Sequence, residues 1–249
     1  MRNLYSLNQG WTLSFPKGER ETETVNLPHT WNAVDGMDGN GSYLRTTAVY
    51  TRTFKAPTQP LAGGRLYVEI PAAALKATVR INGKDAVTHE GGYSCFRADI
   101  TDLCVAGDNE ISIEVSNEDT PTMYPASADF TFYGGLYRGV NLISVPETHF
   151  DLDYCGGPGI MVAPKPTEDG GADFTVQAFV TNAGDDFTVQ YILEDPYGWE
   201  IAGAVRPSDN TAVTLHVPEA VLWSMDEPNL YTLTARLNRR NETYDEIIL

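Results

Sequence analysis

The imidazole bases of this 249-residue chain are few and lie far apart in the sequence: His29, His89, His149 and His216. No G-x-S-x-G turn accompanies them, so the sequence supports no Ser–His nucleophile, although a fold can bring distant groups together. Zinc ligands usually stand at short spacing, and Cys95, Cys104 and Cys155 include no C-x-x-C pair. Neither triad hydrolysis nor a zinc centre is indicated.

One stretch has the residue types of a calcium loop, with acids and an amide placed among glycines. It runs Asp35-Gly36-Met37-Asp38-Gly39-Asn40-Gly41. A calcium loop of the EF-hand type ends in a bidentate Glu at its twelfth position, where this sequence has Thr46. The sequence therefore favours a glycine-rich polar loop and predicts no metal site.

Glycoside hydrolysis requires two carboxyl groups flanking one bond, about 5 to 5.5 Å apart in a retaining enzyme. In a chain with 34 acidic residues, proximity in sequence proves nothing. Asn117-Glu118 draws attention because some glycosidases place their acid after an Asn. It follows a strand pattern over residues 111–115 and leads into Asp119-Thr120-Pro121, so we interpret it as a solvated turn at a strand exit.

Binding a sugar demands less than cleaving one. Aromatic faces stack on the C–H surface of a pyranose, and carboxylates or amides bond to its hydroxyl groups. Three segments offer this mixture together with glycine: Trp31-Asn32, Asp38 to Tyr43, and Tyr124 to Tyr137. Aromatic packing at the rim of a β-sandwich explains the same composition, and the residues alone leave both interpretations open.

The elements that must hold these residues are strands. Apolar residues alternate with period two in at least six segments: Leu66–Ile70, Val79–Ile81, Ile111–Val115, Phe174–Ala178, Val189–Leu193 and Leu230–Thr234. Asn82-Gly83 and Asp195-Pro196-Tyr197-Gly198 supply hairpin turns between them. The best helical candidate, Pro218–Trp223, is only about a turn and a half. The sequence predicts an all-β chain of antiparallel sandwiches.

Charge divides the chain near Pro146. Residues 1–146 carry 12 basic and 16 acidic groups, whereas residues 147–249 carry 5 and 18. The first segment has the size of a jelly-roll β-sandwich, and the second that of an immunoglobulin-like β-sandwich without the paired cysteines of antibody domains. We therefore predict two domains, at 1–146 and 147–249.

The net charge of −17 would repel phosphate backbones and anionic bilayers, so we predict no nucleic-acid and no membrane partner. The N-terminus becomes polar too early for a signal peptide, and no run approaches the roughly 20 apolar residues of a membrane span. We expect a cytoplasmic protein with reduced cysteines.

An ordered series of motifs makes the chain recognisable. It comprises Asn26-Leu27-Pro28-His29-Thr30-Trp31-Asn32, Tyr50-Thr51-Arg52-Thr53-Phe54, Val79-Arg80-Ile81-Asn82-Gly83, His89-Glu90-Gly91-Gly92-Tyr93, Asn109 to Asn117, and Asp129 to Arg138. The series closely resembles the N-terminal sugar-binding jelly roll of glycoside hydrolase family 2, the β-galactosidase and β-glucuronidase family. Residues 147–249 resemble the family's immunoglobulin-like domain, including its closing segment Leu222 to Tyr231. Within the series, Gly91-Gly92 predicts a bend after which Tyr93 and Phe96 return to the core.

The resemblance implies site residues for this chain. It places Asp129 at the rim of the active site, where family members contact the nonreducing-end sugar, in some cases together with a bound cation. It also brings the loop of Asp38 and Asn40 toward the same pocket, on a looser match. It implies no cofactor in this chain, and allows a cation in the parent protein.

The resemblance implies that both catalytic carboxylates belong to a (β/α)₈ barrel of roughly 250 residues that is missing here. We therefore predict an inactive, noncatalytic N-terminal fragment of a retaining, β-galactosidase-like glycosidase. Its partners would be a terminal β-linked sugar of an oligosaccharide and its own barrel, with homo-oligomer formation left open. Two alternatives stand beside it: a freestanding carbohydrate-binding module, and a structural or oligomerisation sandwich.

Overall fold

The computed structural model describes residues 1–37, 42–57, 63–122 and 131–249. Within these ranges the chain is built of β-strands, and its one helical segment is a 3₁₀ turn at Thr101–Leu103. The prediction of an all-β chain is therefore confirmed. No helix in the described ranges is long and apolar enough to cross a lipid bilayer.

The described residues cluster into two compact units. The first takes those between 3 and 144, apart from Gly63 and Gly64. The second takes residues 145–249 together with Gly63, Gly64, Met1 and Arg2. The chain thus contributes its first two residues to the unit that holds its C-terminal half.

Ten strands belong to the first sandwich. They are β1 (Asn3–Ser6), β2 (Trp11–Ser14), β3 (Glu23–Val25), β4 (Thr47–Lys55), β5 (Arg65–Ile70), β6 (Lys76–Ile81), β7 (Lys84–Glu90), β8 (Phe96–Asp99), β9 (Asp108–Ser116) and β10 (Asn141–Val145). One sheet has the order β3-β2-β4-β9-β6-β7 and the other the order β1-β10-β5-β8.

The apolar residues of these two sheets form one core. Ile113 of β9 stands opposite Tyr50 of β4 and Val79 of β6, and all three are fully buried. Val68 and Ile70 of the four-stranded sheet belong to the same cluster. Alternate residues thus point inward, as the period-two pattern predicts.

Nine strands belong to the second unit. They are β11 (His149–Phe150), β12 (Ile160–Pro166), β13 (Ala172–Ala178), β14 (Val180–Thr181), β15 (Phe187–Glu194), β16 (Glu200–Pro207), β17 (Val213–Val217), β18 (Thr232–Arg239) and β19 (Glu242–Ile248). A three-stranded sheet, β12-β13-β17, and a four-stranded sheet, β16-β15-β18-β19, contribute to one core that includes Phe174, Tyr191 and Leu237. β11 and β14 form a small separate pair.

The hairpin predicted at Asn82-Gly83 is confirmed. Both residues have positive φ, 51° and 76°, and Ile81 pairs with Lys84 directly across the turn. Such φ values at both central positions match the twist of the flanking strands β6 and β7, and Asn and Gly tolerate them best.

The segment Pro218–Trp223, the best helical candidate in the sequence, does not form a helix. Residues 218–231 form a loop without regular secondary structure. The backbone N–H of Ala220 bonds to the Gly170 carbonyl, and that of Val221 bonds to the Tyr231 hydroxyl. These two donors are therefore satisfied without a helical turn.

His149 of the second unit is buried, and its Nδ1 lies 2.8 Å from the Pro146 carbonyl oxygen. Burial lowers the pKa of His149 below its usual 6.5, so the folded chain holds a neutral imidazole. As the pH falls below 6.5, the His149 imidazole takes up a proton in the unfolded chain but stays neutral in the folded chain. We expect the free energy of unfolding to drop by at most about 1.4 kcal/mol per pH unit from this group.

Denaturant unfolding of the wild type and of His149→Asn between pH 7.5 and 5.5 measures that slope. The free energy of unfolding of the variant should depend less steeply on pH, since Asn keeps a donor for the carbonyl but does not titrate. A second non-titrating amide, His149→Gln, is the matched control and should show the same weaker pH dependence as His149→Asn. Equal slopes for the wild type and His149→Asn would contradict the prediction.

Candidate functional site

Two buried asparagines organise the part of the first sandwich that the sequence links to sugar binding. Asn117 directly follows β9, and Asn32 follows Trp31 in a turn, and neither side chain reaches solvent. Asn117 Nδ2 donates to Asn32 Oδ1 at 3.2 Å. We call these two residues the amide pair.

The amide pair binds backbone from several loops. Asn32 Oδ1 accepts from the Gly134 N–H at 2.7 Å, and Asn32 Nδ2 donates to the Leu44 carbonyl at 2.9 Å. Asn117 Oδ1 accepts from the Thr46 N–H at 2.8 Å, while its Nδ2 donates to the Phe132 carbonyl at 2.9 Å. Buried amides with this many partners fix the segments they join.

Asp35 adds a carboxylate to this network. Its Oδ2 accepts from Asn32 Nδ2 at 2.7 Å and from the Leu44 N–H at 2.9 Å, and its Oδ1 accepts from Arg20 at 2.6 Å. Burial alone would raise the pKa of Asp35, but the donors from Leu44, Asn32 and Arg20 outweigh it and lower the pKa. The carboxylate is therefore engaged in structural hydrogen bonds.

Gly134 allows the closest approach in this region. A Cβ atom at Gly134 would overlap the indole ring of Trp31, which itself is buried and donates from Nε1 to the Leu44 carbonyl at 3.2 Å. Thr30 Oγ1 also donates to the Gly134 carbonyl at 2.8 Å. Because Gly134 has no side chain, the segment after residue 130 can pack directly against residues 30–32.

We expect Gly134→Ala to destabilise the first sandwich by about 1–3 kcal/mol, since the indole must move out of a well-packed core. Thermal or denaturant unfolding measures the loss. Gly157→Ala is the control, because the nearest atom to its Cβ position is 3.4 Å away, an ordinary contact. Equal effects of the two substitutions would contradict the packing argument.

A groove with a volume of about 320 Å³ opens beside this network, and half of its lining residues are aromatic. Its lining consists of Thr30, Ala74, Leu75, Tyr93, Thr131, Phe132, Tyr133 and Tyr137. We call it the tyrosine groove. Ala74, Leu75 and Phe132 form a small buried cluster against which Tyr137 packs.

The tyrosine rings are held by contacts with one another. Tyr43 and Tyr133 meet edge to face at 6.4 Å between centroids, and Tyr93 and Tyr137 at 6.5 Å. The Tyr137 hydroxyl donates to the Gly92 carbonyl. Tyr93 is 65% exposed and Tyr133 46%. Exposed rings held in position suit the apolar face and hydroxyl groups of a sugar.

The three predicted site residues, Asp129, Asn40 and Asp38, lie outside the described residues, so their role stays a prediction. The amide pair and Asp35 hold the backbone at Leu44 and Phe132, which follow the two segments that carry these residues by two or three positions in the sequence. Within the described ranges, no group of three His, Cys, Asp or Glu side chains is placed to hold a metal ion.

Two sequence interpretations are wrong here. Asn117 is not part of a solvated turn, since it is fully buried, whereas Glu118 does face solvent beside Lys17. Tyr93 does not return to the core, although Phe96 does. The sequence does carry a signal for Asn117, because the inward period of Ile111, Ile113 and Val115 continues to residue 117.

Two family models match this chain, one over each sandwich. The model for the sugar-binding domain of glycosyl hydrolases family 2 matches residues 7–146. A second model, glycosyl hydrolases family 2, matches residues 159–248.

Three relatives illustrate the similarity. The crystal structure of an FMN-binding β-glucuronidase from Faecalibacterium prausnitzii L2-6 is 75% identical, with a TM-score of 0.96 over 100% of this chain and 39% of that chain. Bacteroides uniformis β-glucuronidase 2, covalently bound to cyclophellitol-6-carboxylate aziridine, is 25% identical, with a TM-score of 0.85 over 100% of this chain and 32% of that one. A β-galactosidase from Clostridium acetobutylicum is 26% identical over 93% of this chain and 24% of its own length.

The chain therefore spans between 24% and 39% of the length of these relatives. The family models match most of both sandwiches, and they agree with the motif series that runs from Asn26 to Tyr231. On this evidence the chain belongs to glycosyl hydrolase family 2.

Proposed function

We propose that this chain is the noncatalytic N-terminal part of a β-glucuronidase, and that its first sandwich forms one wall of the sugar pocket. The observation that carries the proposal is the 75% identity, over the whole chain, with a protein described as a β-glucuronidase. The β-galactosidase expected from sequence has weaker support, since the β-galactosidase from Clostridium acetobutylicum is 26% identical. The proposal therefore moves from galactosides to glucuronides.

The residues beyond this chain and the chain itself would have separate roles in the reaction. Two carboxyl groups of the longer protein, beyond this chain, would act as general acid and nucleophile and form a covalent glycosyl-enzyme. The covalent bond between Bacteroides uniformis β-glucuronidase 2 and its cyclophellitol-6-carboxylate aziridine supports this retaining mechanism. This chain would help to position the sugar, because holding the sugar in one orientation lowers the entropic part of the barrier.

Within this chain we assign sugar contact to Asp129, with Asn40 and Asp38 from the neighbouring loop. The amide pair would fix the backbone beside both segments, and the tyrosine groove would offer aromatic faces next to them. Carboxylate and amide side chains bond to hydroxyl groups of a sugar, while the rings cover its C–H face.

The first experiment compares turnover of a chromogenic β-glucuronide and a β-galactoside by the longer protein and by the 249-residue chain. We expect the longer protein to prefer the glucuronide by about tenfold or more in kcat/KM, and the 249-residue chain to be inactive. The proteins are made in a host without glucuronidase. Preference for the galactoside, or turnover by the 249-residue chain, would overturn the proposal.

The second experiment tests Asp129 in the longer protein. Asp129→Ala should lower kcat/KM for the glucuronide by about 10- to 100-fold, the cost of a lost charged hydrogen bond to the sugar. Asp102→Ala is the matched control, because that carboxylate is 92% exposed on the 3₁₀ turn. Unchanged kinetics for Asp129→Ala would remove it from the site, and calorimetric binding of glucuronate by the 249-residue chain would favour a freestanding binding module.

A further inference from the structure

The tyrosine groove has an apolar floor and an aromatic rim. Ala74, Leu75 and Phe132 are buried in one cluster, and we call these three residues the floor. Tyr93 and Tyr133 line the same groove with exposed rings, and we call these two residues the rim. A ligand that fills the groove therefore displaces water from hydrocarbon at the floor and from aromatic rings at the rim.

A glucuronide has two parts: a sugar that carries a carboxylate, and an aglycone, the group joined to the sugar through the glycosidic oxygen. A carboxylate that leaves water needs a cation or several strong donors in its place. None of the described residues that line the groove has a charged side chain. The hydroxyl groups of Thr30 and Tyr137 already donate to backbone carbonyls. The floor therefore disfavours the glucuronate carboxylate and suits the aglycone.

Arg45 places a positive charge beside the floor, with its guanidinium carbon 4.6 Å from the centroid of the Phe132 ring. This guanidinium forms an ion pair with Asp119, and Arg45 is not among the residues that line the groove. An anionic ligand would have to compete with the Asp119 carboxylate for it. The charge of Arg45 is therefore balanced by Asp119 and does not make the groove a site for an anion.

The size of the groove and the order of its rings favour a small planar ligand. Its volume of about 320 Å³ lies at the lower end of the range for small-molecule pockets, about 300–1,000 Å³. Each rim ring is held edge to face by a second tyrosine, so ordering it on binding costs little entropy. Aromatic rings pair favourably with one another in stacked or edge-to-face geometry. One or two fused aromatic rings therefore suit this groove.

The groove is linked to the assigned sugar contact through the sequence. Thr131 of the lining stands two positions after Asp129, and two residues of polypeptide span at most about 7 Å. If Asp129 contacts the sugar, the aglycone on that sugar starts within reach of the groove. The sugar would then meet the rim, and the aglycone would extend over the floor.

We propose that the tyrosine groove is the subsite for the aglycone, and that it gives the longer protein a preference for β-glucuronides of aromatic alcohols. Tyr93 and Tyr133 pack against the aromatic ring of the substrate, and the floor excludes water from it. The inference rests on the proposed function, in that the substrate is a glucuronide. Binding energy from the aglycone then raises kcat/KM for aryl glucuronides above that for small alkyl glucuronides.

Kinetics of the longer protein with 4-methylumbelliferyl β-glucuronide and methyl β-glucuronide test this subsite. The quantity compared between proteins is the ratio of the two kcat/KM values, aryl over methyl. The leaving-group chemistry and any loss of active protein affect the wild type and the variant alike, or cancel within the ratio. We expect Tyr93→Ala and Tyr133→Ala each to lower the ratio by about 5- to 10-fold, because each removes an aromatic contact. Tyr93→Phe keeps the ring and should keep the ratio.

Tyr197→Ala is the matched control, because Tyr197 is 72% exposed in the turn between β15 and β16 and should leave the ratio unchanged. An unchanged ratio in both alanine variants, with both glucuronides still cleaved, would overturn only the aglycone subsite. A Tyr93→Phe ratio as low as that of Tyr93→Ala would overturn it too. A longer protein that cleaves galactosides and no glucuronide would overturn the proposed function. The same ratio measured with aryl and methyl β-galactosides then decides the subsite, which a drop supports and an unchanged ratio overturns.

Discussion

Asn117→Ala is expected to lower the free energy of unfolding of the first sandwich by roughly 2–6 kcal/mol. The substitution removes the buried bonds to the Thr46 N–H and the Phe132 carbonyl, while Asn32 Oδ1 keeps the Gly134 N–H as a donor. Each buried polar group that loses its partner costs about 1–3 kcal/mol, because water cannot replace the bond. Denaturant unfolding followed by tryptophan fluorescence measures the loss, since Trp11 and Trp31 are buried in this unit.

Glu118→Ala is the matched control at the next position. Glu118 is 40% exposed and pairs with Lys17 at the surface, so its loss should cost less than about 1 kcal/mol. The comparison also separates the roles of the two residues in the Asn117-Glu118 pair, a buried anchor and a solvent-facing acid. Similar losses for Asn117→Ala and Glu118→Ala would show that the amide is not the buried anchor described here.

The strands are predictable because one physical rule decides them. In β15, Val189, Tyr191 and Leu193 are buried while their neighbours are not, and burying one face of a strand forces this period. The rule does not locate the ends of the strands. The period-two pattern groups Leu230 with Thr232, yet β18 begins at Thr232 and Leu230 is 73% exposed in the loop before it.

The candidate site depends on contacts that no local pattern contains. Asn32 and Asn117 are 85 residues apart, and an isolated Asn in a loop is compatible with a turn, a cap or a buried anchor. Tyr93 follows two glycines, where a bend is predictable but the side of the sheet that the ring faces is not. Family resemblance points to Asp129 and to the loop of Asp38 and Asn40, whereas only the fold assembles the tyrosine groove.

Arg2→Ala is expected to destabilise the second sandwich by about 3–5 kcal/mol. Arg2 Nε lies 3.1 Å from Asp245 Oδ1 and Nη2 lies 2.8 Å from Oδ2, and the Asp245 side chain is fully buried. Removing one member of a buried ion pair leaves an uncompensated charge in the interior. The backbone N–H groups of Phe150 and Glu246 still donate to Asp245, but they carry no full charge.

Arg236→Ala is the control for Arg2→Ala, because the pair between Arg236 and Glu246 is 40% and 27% exposed and should contribute about 1 kcal/mol or less. A double variant separates charge burial from lost packing. If the buried charge is the cause, Arg2→Ala with Asp245→Asn should unfold at higher denaturant than Arg2→Ala alone, because a neutral amide costs less to bury than a carboxylate. A double variant no more stable than Arg2→Ala would assign the loss to packing of the arginine side chain.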